Sequence, residues 1–227
     1  MIKTLAPKIS SISDRIIKIG QEEIAYKDEG NGETLLCLPP VGHSSKDFQC
    51  LYDTLTDSYR IIAVDFPGHG NSAPVQGKIC ASYFSQIIQE FTLNLAPGSF
   101  TIIGNSIGGA VGIRLAHQNP KIKALVLANP GGLDKRGWLF PVFMNFMIRF
   151  FKKGTKAFPS FQQQFANYYS KILPGEKAME RRQEIIDCAY DLAPLLVEAW
   201  TGFKEKSEDL RPLIHNIDCP VFSTVHK

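Results

Sequence analysis

No run of eighteen apolar residues occurs in this 227-residue chain, so no membrane-spanning helix is expected. The nearest approach, 138–151, is interrupted by Pro141, Asn145 and Arg149. The first residues, Met1 to Pro7, include no apolar h-region, which argues against a secretory signal. Cysteine is sparse: Cys37, Cys50, Cys80, Cys188 and Cys219 are odd in number, widely spaced and free of any C-x-x-C pair. A disulfide framework and a zinc site are therefore not expected, whereas a reducing, cytoplasmic location is. Histidines do not cluster at ligand spacing either, so no metal or organic cofactor is implied. An excess of one charge is also lacking. The 25 Lys and Arg against 22 Asp and Glu leave +3, too little to suggest a nucleic-acid partner. No internal repeat or low-complexity tract is present, and 44% hydrophobic content with 11% aromatics is enough for a sizeable core.

What the chain does contain is an alternation. Residues 15–28 show two short apolar runs either side of a polar turn, a predicted hairpin. Thr34–Leu38, Ile61–Val64, Ser99–Ile103 and Ala124–Ala128 are short apolar runs, separated by helical spacing at 46–56, 80–96 and 106–118. Continuously apolar strands alternating with helices predict an α/β fold, a mostly parallel sheet with flanking helices on both faces. The alternation stops at Pro130-Gly131-Gly132. From about 133 to 213 only helix-like segments follow, clearest at 158–172 and 178–204, before a last strand at Pro220–Val225. This pattern divides the chain into a core over 1–131, a helical cap over 132–213 inserted after strand six, and a return to the core over 214–227.

Gly104-Asn105-Ser106-Ile107-Gly108 matches G-x-S-x-G, and it sits where that motif needs to sit, between an apolar strand and a helix of small residues. The turn is sharp, and the glycines two before and two after the serine avoid side-chain clashes. With three further segments in order, this chain resembles the α/β-hydrolase fold family from about residue 15 to its end. They are Leu35–Phe48, Asp65-Phe66-Pro67-Gly68-His69-Gly70-Asn71-Ser72 and Ile217–Val221. The resemblance implies acyl transfer to water. Ser106 would be the nucleophile, the backbone N–H groups of Val41 and Ile107 the oxyanion hole, and Gly104, Asn105 and Gly108 the elbow. A serine at the elbow argues against the aspartyl-ester chemistry of haloalkane dehalogenases and epoxide hydrolases.

The implied partner is a small-molecule substrate, a small or medium apolar ester, thioester or related carbonyl compound. Bulky cap residues (Trp138, Phe140, Phe143, Phe146, Phe150, Phe151) suggest an apolar pocket, with ordinary packing of the cap as the favoured alternative. Lys152, Lys153 and Lys156 beside them permit loose membrane-surface contact, which a solvated helix end explains as well. The chain also departs from the family. Pro39-Pro40 stands where His-Gly usually opens the oxyanion loop, although the expected donor, Val41, keeps its N–H. The family's acid lies past the seventh strand and its histidine past the eighth. The chain's last strand reads as the seventh, so the last strand and helix are expected to be missing through truncation, leaving a nearly inactive chain. Asp134 and His43 are auxiliary candidates for acid and base, with His226 a further candidate beside the last strand. His69 and His117 read as structural, and His215 lies just before that strand. Asn129–Leu133 together with the elbow also resembles the hydrolases that cleave carbon–carbon bonds in dienoate acids. A non-catalytic ligand-binding protein on the same scaffold is the rival class.

Overall fold

The computed structural model describes residues 14–95 and 98–224. Readings that fall on the N-terminal thirteen residues, Ala96, Val225 and His226 lie outside the described part. Strand β1 (Arg15–Ile19) turns at Gly20, whose φ of 57° is one that glycine adopts without strain, into β2 (Glu22–Glu29). The predicted hairpin is therefore present. Strands β3 (Glu33–Leu38), β4 (Tyr59–Val64), β5 (Phe100–Asn105), β6 (Ile122–Ala128) and β7 (Val221–Thr224) follow. The sheet order is β1-β2-β4-β3-β5-β6-β7, with β1–β2 and β2–β4 antiparallel and every other pair parallel. From β3 the chain moves outward to β4, then returns to the other side of β3 as β5. The strand order thus reverses between β3 and β5, and a crevice at their carboxyl ends is where open α/β sheets hold ligands.

A 3₁₀ turn (Ser45–Phe48) leads into α1 (Gln49–Leu55), and α2 (Ala81–Leu95) and α3 (Ile107–Gln118) occupy the remaining crossovers. Between β6 and β7 the described chain is helical: α4 (Leu139–Thr155), α5 (Phe161–Ile172), α6 (Met179–Asp187), α7 (Ala189–Gly202) and the short α8 (Arg211–Ile214). Two boundaries differ from the sequence reading. Helix α5 starts at Phe161 rather than Phe158, because Pro159 disfavours helical backbone in the residue before it. The segment 178–204 is two helices, not one. The chain bends at Cys188 (φ −91°, ψ 15°) because α6 packs on α5 whereas α7 packs on α4.

Two cores flank the sheet. On one face Leu36, Leu38, Ile62, Val64, Ile102 and Leu125 join Phe84 of α2, Val111 of α3, Phe151 of α4, Phe165 of α5 and Leu196 of α7 in a single cluster. On the other face Leu35, Cys37, Ile61 and Ala63 form a smaller cluster with Phe48 and Tyr52, against which Leu51, Leu55, Tyr59 and Ile103 pack. That second core spans β3 and β4, and beyond it Val126 of β6 is 40% exposed and Phe222 of β7 is 67% exposed.

Candidate functional site

Helix α3 begins one residue after β5 ends, and Ser106 occupies the single position between them. Its backbone has φ 52° and ψ −114°, a strained combination for a residue with a Cβ. Neighbouring hydrogen bonds over-determine it. Ser106 N–H donates to Ala128 O at 3.0 Å, while Ser106 O accepts from Gly131 N–H at 3.0 Å and Ala110 N–H at 3.1 Å. The glycines explain how a helix can start so close to the sheet. A Cβ on Gly108 would lie 2.1 Å from Leu38 O, and one on Gly104 would lie 2.6 Å from Gly108 O. Asn105, the last residue of β5, is half-buried.

The loop after β3 lies against this elbow, since Gly108 meets Leu38 and Pro39. Neither Val41 N–H nor Ile107 N–H donates a hydrogen bond within the described residues, although the two residues are only 7% and 0% exposed. Unpaired N–H groups in buried residues are uncommon, and Ile107 adds the partial positive charge of a helix N-terminus. Ser106 Oγ likewise has no hydrogen-bond partner among the described residues.

Asp65 fixes that loop. Its Oδ1 accepts from Ser45 N–H at 2.6 Å and its Oδ2 from Asn71 N–H at 2.8 Å, so one carboxylate joins the β3 loop to the turn after β4. Burial pushes the Asp65 carboxyl up, and the two N–H donors offset this only in part. Gly70 is required beside it, because a Cβ there would lie 2.0 Å from Asp65 Oδ2. His69, in the same turn, stacks edge-on against Phe66 and Phe84 and places Nδ1 2.9 Å from Pro67 O. Nδ1 therefore carries the proton, and Nε2 is a buried acceptor with no partner among the described residues. Burial, with a smaller contribution from nearby His43, lowers its pKa to about 4.

His43 is buried in the β3 loop, with its ring 5.8 Å from that of Tyr169 in α5 and Nδ1 2.6 Å from Asp47 Oδ2. Arg181 of α6 completes the cluster: Nε donates to Asp47 Oδ1 at 2.7 Å and a terminal nitrogen donates to Ser44 Oγ at 3.1 Å. Burial works to raise the Asp47 carboxyl, but the His43 bond and charge and the Arg181 guanidinium outweigh it and hold it below the usual value. Asp47, Ser44 and Arg181 were absent from the sequence reading. The four-residue spacing of His43 and Asp47 was available there as a signal, whereas Arg181 lies 134 residues from Asp47.

The other candidates are not brought together. Asp134 is exposed, with no hydrogen bond or ion pair among the described residues. His117, at the last turn of α3, and His215 are exposed. The aromatic residues of 138–151 do not form the apolar pocket set against ordinary packing. Phe151 is fully buried in the core, but Trp138, Phe143 and Phe146 are 80%, 53% and 65% exposed, so these residues do not converge on one cavity. A cavity of about 180 Å³ does lie beside the elbow, lined by Pro40, Asp47, Asn105, Val126 and Thr224 among others, on the thinly covered face of the sheet. Ser106 is not part of its lining.

Residues 33–192 match the family model described as the alpha/beta hydrolase fold. A pimeloyl-[acyl-carrier protein] methyl ester esterase of Nitrosomonas europaea is 33% identical over 46% of this chain and 40% of its own length. A 2-hydroxy-6-oxo-6-(2'-aminophenyl)hexa-2,4-dienoic acid hydrolase of Metapseudomonas resinovorans is 27% identical over 55% of this chain and 44% of its own. The matched part thus spans less than half the length of these curated relatives. Among solved structures, an esterase from Exiguobacterium antarcticum superposes with a TM-score of 0.77 at 18% identity, over 92% of this chain and 79% of its own.

Proposed function

The chain belongs to the α/β hydrolase fold family, and on that footing we propose that it is part of a serine hydrolase acting on a small or medium, apolar carboxylic ester or thioester. The observation that carries this reading is the elbow itself: a strained serine with an unpartnered Oγ, followed by Ile107 with an unpaired N–H, against the start of the loop that carries Val41, whose N–H is likewise unpaired among the described residues. Ser106 Oγ adds to the substrate carbonyl carbon, and the Val41 and Ile107 N–H groups hold the developing oxyanion. Collapse expels the alcohol or thiol with a proton, leaving an ester on Ser106. Water then adds to that ester and releases the acid.

The Oγ proton needs an acceptor. The acid and histidine that the family places after its seventh and eighth strands do not fall among the described residues. Within them, His43 is the imidazole with a carboxylate partner, and its Nδ1–H bond to Asp47 leaves Nε2 as the basic nitrogen. A second reading, carbon–carbon bond hydrolysis of a dienoate acid, draws on the Metapseudomonas relative and uses the same serine. Reaction with a fluorophosphonate tests both, since each needs a nucleophilic Ser106. The expected result is an adduct on Ser106 that Ser106→Ala abolishes, with a loss on the order of a hundredfold in labelling rate for His43→Asn if that imidazole is the base. A folded protein that takes no label would favour the non-catalytic, ligand-binding alternative.

A further inference from the structure

Helix α4 has two apolar faces, and only one of them is buried; on the other, Phe143 meets Trp200 of α7 edge-on, with ring centroids 5.7 Å apart, and stays half exposed. Met144, Met147, Ile148 and Phe151 are buried against the rest of the molecule. Leu139, Val142, Phe143 and Phe146, at the spacing i, i+3, i+4, i+7, are 56%, 59%, 53% and 65% exposed, and Trp138 just before them is 80% exposed. A stripe of five large apolar side chains on one helix is unlike the scattered exposed hydrophobics of an ordinary surface.

The charge around that stripe is one-sided. From Lys135 to Gly175 the chain carries seven Lys and Arg and no Asp or Glu, although its overall charge is only +3. Arg149, Lys152, Lys153 and Lys156 are exposed along and beyond the end of α4, and none of them has an ion-pair partner among the described residues. Lys153 meets only the neutral Gln164, at 2.9 Å. Two copies of this face brought together by a twofold axis would confront one unpaired cation cluster with another, which disfavours a symmetric dimer. An anionic lipid surface satisfies both features at once, with acyl chains for the aromatic stripe and headgroup charge for the cations. No helix among the described residues is long and apolar enough to cross a membrane, so α4 would lie in the interface rather than span it.

We propose that α4 is a membrane-docking helix that seats the cap on anionic bilayers, with Trp138, Leu139, Val142, Phe143 and Phe146 entering the interface and Arg149, Lys152, Lys153 and Lys156 binding the headgroups. This holds whatever Ser106 does. The test is co-sedimentation of the protein with vesicles of phosphatidylcholine alone or with about one-third phosphatidylserine, together with Trp fluorescence in a Trp200→Phe background, where Trp138 is the remaining indole. The expected result is salt-sensitive binding to the anionic vesicles and a blue shift of Trp138 emission. A double change of Phe143 and Phe146 to Ser should weaken binding at least tenfold with an unchanged circular dichroism spectrum, and so should Lys152→Glu with Lys153→Glu. No binding, equal binding to both vesicle types, or binding indifferent to the Phe143 and Phe146 changes would overturn the assignment. A concentration-dependent dimer that Phe146→Asp disperses, with no transfer to vesicles, would overturn it in favour of a second copy.

Discussion

The two faces of the sheet are built from the same kind of strand and end up in different environments. Successive residues of β5 and β6 alternate between them, so Ile102 and Val126 are both apolar side chains in central positions. Ile102 is completely buried under α2 and α3, whereas Val126, on the other face, is 40% exposed. The difference shows that the crevice at the carboxyl ends of β3 and β5 is held mainly from one side: α3 and the buried faces of α4, α5 and α7 rest on the covered face, and the 3₁₀ turn and α1 shield the other, over β3 and β4. The largest expected effect therefore separates these two residues. Ile102→Ala should cost about 3–4 kcal/mol in urea unfolding, by lost burial plus a cavity, while Val126→Ala should stay within about 0.5 kcal/mol. A cost at Val126 approaching that at Ile102 would mean that the second face is covered in solution.

A buried histidine offers a second way to probe the covered face. His69 sits among Phe66 and Phe84 with Nε2 lacking a partner among the described residues, and its pKa is lowered to about 4 from an ordinary 6.5. The unfolded chain then binds a proton that the native state refuses. His69 thus contributes no penalty above pH 6.5, and stability falls as pH drops from 6.5 towards 4, where the native state also begins to protonate. The loss over that window is roughly 3 kcal/mol. Urea melts at pH 7 and pH 4.5 should show it, and His69→Gln should flatten that part of the profile. An equally steep profile in the variant would place the titrating group elsewhere.

How much of this was legible in the sequence depends on the range over which each feature is encoded. The strands and the elbow are local: continuous apolar runs, a G-x-S-x-G between strand and helix, and glycines where α3 and β3 come within van der Waals contact. The strand readings survive because backbone geometry alone dictates them, and the same geometry places Ser106 between β5 and α3. Composition gave the cap its apolarity but not its orientation. Both stripes of α4 are aromatic or aliphatic, so counting them does not orient the helix, whereas packing against α7 puts Met147 and Phe151 inside, leaves Phe146 out, and holds Phe143 edge-on to Trp200 at the margin. Pro141 interrupts the hydrophobic run yet leaves the helix intact, since it falls in the first turn, where its missing N–H has no partner to lose. The Asp47–Arg181 pair joins residues 134 apart, and nothing local in either segment points to the other.

That pair gives the smallest expected effect and the most direct view of how α6 is tied to the β3 loop. Arg181 reaches from α6 to Asp47 and Ser44, and Lys46 of the same loop lies 3.3 Å from Glu184, one turn beyond Arg181. Exposed pairs such as Lys46–Glu184 contribute little, but the Arg181 and Asp47 side chains are only 24% and 18% exposed, and two of the guanidinium's bonds go to the loop that carries Val41. Arg181→Met keeps much of the side chain's apolar length and removes those bonds, for a cost of about 1 kcal/mol. Since Asp47 is held below its ordinary value, its contribution is present above the unfolded pKa and lost as pH falls through the folded one; Arg181→Met should shrink that acid-side loss. Amide exchange over 41–48 should quicken in the variant while the β1–β2 hairpin, on the far side of the sheet, stays unchanged. Unaltered exchange in the loop would mean that Asp65 alone holds it, through the Ser45 N–H, and that α6 adds nothing to its order.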